Sequence, residues 1–240
     1  MALVWNTATI IKIEQASSNT RRFWFEVQEG PIQFKAGQFV TLDLPIHEQK
    51  NKRWRSYSIA SAPNGSNIFE LVIVLLPGGL GTQYLFNEAT IGTQIPFRGP
   101  QGVFTLPNSI NTDLYFICTG TGIAPFRSMI HYLHQQKIPH QNIHLVFGGR
   151  TQADCLYADE LIALQDAEAG FYYHPCISRE QNLPKGYTHG YVHGVYEQLA
   201  ANNPNAQFYL CGWKNMVDEA RNRLSNLGYD KKAVHFELYG

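Results

Sequence analysis

The chain has 240 residues, enough for two compact domains of about 100–130 residues each. Charged residues make up 16%, and Lys+Arg equal Asp+Glu at 19 each. A protein that wrapped nucleic acid or lay on an anionic membrane would carry a basic surplus instead. The longest strongly apolar run, 71–76, falls far short of the ~20 residues that span a bilayer. Residues 1–5 lack the basic start and long apolar stretch of a secretion signal. Cys118, Cys155, Cys176 and Cys211 are widely spaced, which argues against a disulfide framework or an iron–sulfur cluster. Neither H-E-x-x-H nor a Cys/His zinc spacing occurs. The expectation is a cytoplasmic protein with no metal, no nucleic-acid partner and no stable membrane insertion.

The first hundred residues read as short strands, at 9–14, 22–27, 38–44, 55–60 and 69–75, cut by Gly and Pro turns. One helical stretch at 82–88 interrupts them. Regular short strands of this kind predict an antiparallel β-barrel or sandwich. After the loop 107–113 the rhythm changes to strand 114–118, helix 126–136, strand 143–147, helix 159–167 and strand 171–177. Helix 195–200, strand 208–211, helix 215–227 and strand 234–238 complete the series. Strands alternating with helices make a mostly parallel, Rossmann-like α/β sheet. The predicted boundary lies near residue 110, giving domains 1–110 and 111–240.

Three local patterns carry chemistry. Thr119-Gly120-Thr121-Gly122-Ile123-Ala124-Pro125 lies between the first strand and helix of the second domain. There a parallel sheet binds phosphate through bare backbone and a helix N-terminus. Arg55-Ser56-Tyr57-Ser58 sets a guanidinium fork beside a ring and hydroxyls, a combination suited to a phosphate and something planar. Gly78-Gly79-Leu80-Gly81-Thr82 opens the one helix of the first domain as a second anion-ready turn. Two phosphate-type sites point to two nucleotide cofactors.

Taken together these residues resemble the ferredoxin–NADP reductase family of flavoproteins along nearly the whole chain. Arg55-Ser56-Tyr57-Ser58 is similar to the family's R-x-Y-S, and Gly99-Pro100-Gln101-Gly102-Val103-Phe104 to its G-P-x-G-x-F. Gly120 to Phe126 is similar to G-x-G-x-x-P-F, Cys211-Gly212 through Met216 to C-G-x-x-x-M, and Glu237-Leu238-Tyr239 to the terminal E-x-Y. The resemblance implies an FAD-binding barrel followed by an NADP-binding α/β domain. It implies that Arg55 binds the flavin phosphate with Gly81 and Thr82, that Ser56 and Tyr57 flank the flavin, and that Ser58 bonds near N5. Thr119, Gly120, Thr121, Gly122 and Pro125 would line the nicotinamide nucleotide's site, with Gly212 and Met216. Cys211 would lie beside the nicotinamide ring, Tyr239 would stack on the flavin, and Glu237 would relay a proton to Ser58.

Ser178-Arg179-Glu180 is similar to the S-R-E of NADP-using members. Arg179 and Ser178 would hold the 2′-phosphate, and Tyr191 would stack on adenine. NADPH is therefore the expected donor and NADH the alternative. Val74-Leu75-Leu76 lacks the Lys or Arg of many relatives, which leaves FMN open beside FAD. Gly240 follows Tyr239, a departure that would make the tail easy to displace. The implied acceptor is ferredoxin, flavodoxin or an oxygenase component, docking on Lys50, Lys52, Arg53 and Lys214. The alternatives are an NADH-dependent oxygenase reductase component or flavin reductase, and a non-catalytic flavin-binding redox sensor.

Overall fold

The computed structural model describes residues 4–202 and 205–239. Contacts divide the chain into two units: 1–106 with 124–135, and 107–123 with 136–240. Among the described residues no helix is long and apolar enough to cross a membrane.

The first unit holds β1 (Trp5–Ser17), β2 (Thr20–Val27), β3 (Phe39–Asp43), β4 (Trp54–Ser58), β5 (Ile68–Val74), α1 (Leu80–Asn87) and β6 (Gln94–Gln101). Its six strands form one antiparallel sheet in the order β4-β3-β6-β1-β2-β5. The two ends of the sheet meet where Ile59 bridges Leu71 and Ala60 N–H donates to the Glu70 carbonyl at 2.8 Å, so the sheet curls into the expected barrel. Alternation fills the interior: Ile10, Phe23, Phe25, Leu42, Phe69 and Phe97 are all buried, and the Phe25 and Phe69 rings stack at 5.2 Å.

β6 carries Pro96 and Pro100, residues that a paired strand usually excludes. Each sits where little is asked of its missing N–H. Pro96 faces Thr7 of β1, while β3 pairs only from Phe97 onward. Pro100 falls in the gap where the β3 register slips between Arg98 and Gln101. The helices also start earlier than their periodicity marks, α1 at Leu80 rather than 82. Gly or Pro in a first turn offends no intrahelical bond, because those N–H groups have no partner anyway.

The second unit is built on β7 (Asp113–Thr119), β8 (Ile143–Gly149), β9 (Phe171–Ile177), the two-residue β10 (Thr188–His189), β11 (Ala206–Trp213) and β12 (Val234–Tyr239). Its helices are α3 (Ala158–Ala167), α4 (Val192–Ala200) and α5 (Lys214–Asn226). Helix α2 (Ile123–Gln136) leaves β7 and groups almost entirely with the first unit. The sheet is wholly parallel, in the order β10-β9-β8-β7-β11-β12. Strands buried on both faces read as continuous apolar runs, as β7 does with five consecutive buried residues. Tyr196 of α4 and Val217 of α5 are buried with Tyr115 and Phe208 in this unit's core.

Candidate functional site

In the first unit, strand alternation sends Arg55 and Tyr57 to one face of β4, in register with Leu42 and Val40. Ser56 goes to the other, where its hydroxyl lies 3.0 Å from that of Thr41. The Arg55 stem runs against the first turn of α1. A Cβ on Gly81 would stand 2.9 Å from Arg55 Cγ and 3.3 Å from Nε, so a bare residue there is what admits the arginine. Arg55 Nη1 donates to the carbonyls of Lys52 and Trp54 at 3.0 and 2.8 Å, which anchors the fork and leaves other donors of the guanidinium for an anion. The helix it meets has Gly79 as N-cap and no side-chain cap. With no side-chain cap on its first turn and a fixed cation beside it, this helix end is suited to a diphosphate.

Thr82 lies in the first turn of α1. Its buried hydroxyl donates to the Gly79 carbonyl at 3.0 Å and accepts from Leu76 N–H at 3.1 Å. The hydroxyl therefore holds the turn in shape, and what Thr82 offers an anion is its backbone N–H. Tyr57 is half-buried against the barrel core, and burial pushes its phenol well above the usual range. Ser58, 5% exposed, lies at the end of β4 opposite Phe39.

In the second unit the strand order reverses between β7 and β11, and ligands of such sheets bind at the carboxyl ends of the strands flanking that switch. Here the two glycine motifs touch each other. A Cβ on Gly122 would stand 2.4 Å from the Cys211 carbonyl oxygen and 2.7 Å from its carbon. Gly212, at φ +135, would put a Cβ 2.6 Å from Thr119 Oγ1, the atom that also accepts from Trp213 N–H at 3.5 Å. Thr119, Gly120, Thr121 and Gly122 thus form one floor with Cys211 and Gly212. Pro125 is the third residue of α2, where its missing N–H costs nothing. Met216 belongs to the buried core behind this floor, so it braces the β11–α5 turn.

Cys211 pairs in register with Cys118 on one side and Glu237 on the other, and Trp213 pairs with Tyr239. Cys211, Glu237 and Tyr239 therefore gather at the ends of two adjacent strands. Burial and the charge of Glu237 push the Cys211 thiol well above its ordinary range, against the opposing effect of its hydrogen bond with Tyr239. It is a neutral thiol at physiological pH. Gly240 lies outside the described residues.

Cys118, Cys155 and Cys176 are likewise buried and free, with burial pushing Cys155 and Cys176 to about 12. In native protein at pH 8 none of these thiols is expected to react quickly with a disulfide reagent, and all should react in denaturant. Unfolded thiols ionise near about 8.5 while the folded ones keep their protons. Stability is therefore full below that pH and falls as pH rises past it, which urea midpoints measured between pH 8 and 10 would show. A fast-reacting native thiol would contradict the burial.

At the other edge of the sheet, Ser178 and Arg179 follow β9. Ser178 N–H and Oγ both donate to the Gly149 carbonyl, at 3.2 and 3.3 Å. Arg179 N–H donates to the Arg150 carbonyl at 2.9 Å. Arg150, at the end of β8, thus stands beside Arg179, and both are exposed. Sequence reasoning missed Arg150; the available signal was its place directly after the second strand of the parallel sheet. The Glu180 carboxylate is drawn aside, accepting from Gln152 N–H at 2.9 Å. Tyr191, 75% exposed, caps α4 two residues after β10, whose Thr188 and His189 pair with Cys176 and Ile177.

Comparison with known proteins matches this division. The oxidoreductase FAD-binding domain family matches residues 7–106, and the oxidoreductase NAD-binding domain family residues 116–222. Ferredoxin–NADP reductase B of Sorangium cellulosum is 34% identical over 97% of this chain and 96% of its own length. The anthranilate 1,2-dioxygenase electron transfer component of Acinetobacter baylyi is 31% identical over 79% of this chain, which spans only 53% of that protein. The cytochrome P450 reductase GcoB of Amycolatopsis superposes with a TM-score of 0.88 at 26% identity, over 98% of this chain and 70% of that one. A barrel and a parallel sheet that match these two domain families in this order, in a chain aligned end to end with such a reductase, belong to the ferredoxin–NADP reductase family.

Proposed function

We propose that the chain passes a hydride from NADPH to FAD and hands electrons singly to ferredoxin, flavodoxin or an oxygenase component, in the cytoplasm. The domains are an FAD-binding barrel, 1–110, and an NAD(P)-binding α/β domain, 111–240. The observation that carries this reading is the switch point, where the neutral thiol of Cys211 stands with Glu237 and Tyr239 above a floor of bare glycine backbone. The residues at Arg55 and the α1 N-terminus fit the diphosphate of FAD, which when bound supplies acceptance of an electron pair and its release one electron at a time. Arg55 and the first-turn N–H groups of α1 hold that diphosphate, and Tyr57 packs its ring toward the flavin. Ser58 offers its hydroxyl near N5. Gly120, Thr121 and Gly122 let the nucleotide's phosphates approach backbone. Cys211 orients the nicotinamide as a neutral, polarisable wall, and Glu237, at the same edge, is the proposed proton relay to Ser58. As the resemblance implies, Tyr239 would stack on the flavin and give way to the nicotinamide. Lys50, Lys52 and Arg53 of the first unit and Lys214 of the second are the proposed docking charges for an acidic carrier, each setting association rate and salt dependence.

NADPH is favoured over NADH because Arg150 and Arg179 are held side by side by a backbone bond, with Ser178 adjacent, while the neighbouring Glu180 is drawn aside. Replacing both arginines by alanine is expected to raise KM for NADPH by at least about 10- to 100-fold, the loss of a single charge-assisted bond of about 1.5–3 kcal/mol already sufficing for that. KM for NADH should stay unchanged. Equal losses with both donors would show that these arginines do not read the 2′-phosphate.

The direct test is the visible spectrum of the FAD-loaded protein during anaerobic titration with NADPH and then NADH. Faster bleaching by NADPH is expected. Faster bleaching by NADH would favour the oxygenase-reductase reading, which the similarity to the dioxygenase component supports. Bound flavin with no bleaching by either would leave only a redox sensor.

A further inference from the structure

Helix α2 starts at the residue after Gly122, and five residues beyond Gly122 it carries Arg127. Arg127 Nη1 donates to Glu70 Oε2 at 3.0 Å and to the Ala60 carbonyl at 2.9 Å. Ser128, wholly buried, donates to the Ser61 carbonyl at 2.7 Å. Glu70 is itself wired to the same segment. Its N–H donates to Ser61 Oγ at 3.1 Å, and its carbonyl accepts from Ala60 N–H at 2.8 Å. Its second carboxylate oxygen takes Arg22 Nε at 2.6 Å. The Glu70 side chain is 3% exposed and that of Arg127 11%. One side of α2 is thereby tied to Ala60 and Ser61, the two residues that follow Ser58 and Ile59 at the closure of the barrel.

A buried carboxylate held by two arginines is a poor means of stabilising a fold, because desolvation offsets most of the attraction and an apolar cluster would pack as well. Its distinctive property is direction, since each bond sets a particular donor opposite a particular acceptor. A hydride must cross between rings set about 3–3.5 Å apart, and a displacement near 1 Å can cost on the order of a hundredfold in rate.

We propose that Glu70 and Arg127 are positioning residues for hydride transfer, which hold the first turns of α2 to the segment that leaves Ser58. This rests on the functional reading above, in which Ser58 serves the flavin and the loop preceding α2 serves the nicotinamide nucleotide. The pair touches neither reacting ring and acts through Ser58 and through the start of the helix.

The test uses full-length, FAD-loaded protein with Glu70→Gln, Arg127→Met and Arg127→Lys. NADP binding is read from the flavin difference spectrum, and the limiting rate of flavin bleaching at saturating NADPH from anaerobic stopped flow. The expected result is a limiting rate at least about tenfold lower in Glu70→Gln and Arg127→Met, with FAD content and NADP affinity unchanged. Arg127→Lys should recover part of the rate. An unchanged limiting rate, or a loss that only follows lost cofactor or nucleotide, would overturn the proposal. Should the buried-charge variants fail to fold, Ser128→Ala decides, because it removes one bond to Ser61 and little volume. A slower limiting rate with normal FAD content supports the proposal, and a wild-type rate refutes it. A wild-type protein that neither nucleotide bleaches sinks the functional reading and this inference together, whereas normal bleaching with unaffected variants sinks the inference alone.

Discussion

Arg55→Met is expected to strip the protein of FAD during purification, weakening its binding by about 30- to 150-fold, or roughly 2–3 kcal/mol. Methionine keeps the apolar stem that lies against Gly81 and deletes only the fork that the Lys52 and Trp54 carbonyls anchor beside the uncapped end of α1. The barrel core does not include Arg55, so melting of the apoprotein should hardly change. The loss falls on the anion, because a guanidinium offers paired donors that match a phosphate's oxygens, and the helix end supplies partial charge without a second cation. Quenching of free-flavin fluorescence on titration gives the dissociation constant directly. Wild-type affinity in the variant would place the diphosphate elsewhere and dismantle the site as built here.

Gly122→Ala should do comparable damage in the other unit. The added Cβ would meet the carbonyl group of Cys211 at 2.4 and 2.7 Å, and backbone inside a parallel sheet cannot swing aside as a flexible side chain can. Overpacking of this kind costs about 1–3 kcal/mol, and the structure can relieve it only by moving Cys211 and the loop that receives the nucleotide. We expect flavin reduction by NADPH to fall by about a hundredfold or more, with FAD content intact because Arg55 and α1 belong to the first unit. Gly194→Ala is the matched control. Gly194 lies within α4 with nothing near its missing Cβ, so alanine there should be neutral or stabilise by about 0.4–1 kcal/mol. Parallel stopped-flow traces of the two variants separate a general glycine effect from the Gly122 contact. A Gly122→Ala protein that reduces its flavin at the wild-type rate would show that the approach to Cys211 is slack.

Local chemistry was enough to read the alternating barrel strands, the βα rhythm after residue 107, and the placement of Arg55 on a strand and of Gly120–Gly122 on a turn. Each depends on side-chain periodicity or on turn residues within a few positions. No local window explains why β6 accommodates Pro96 and Pro100, since only pairing with β1 and β3, whose partners lie far away in sequence, shows that their missing N–H groups are not needed there. That the Thr82 hydroxyl bonds Leu76 N–H and the Gly79 carbonyl is visible only in the folded turn. Arg150 gave no motif of its own. It joins Arg179 because β8 and β9 run parallel and in register, which brings their carboxyl ends to the same edge.

The same distinction separates the two ends of the chemistry. Residue types and spacing determined that this chain would carry a guanidinium fork, two glycine turns, and a Cys and a Glu near its C-terminus, since those are properties of short segments. Which of them meet was decided by strand order. Cys211 touches Gly122 and stands beside Glu237 only because β11 inserts between β7 and β12. Hydrogen-bonded neighbours in a sheet are chosen by the burial of whole faces, a property that no local window of residues contains.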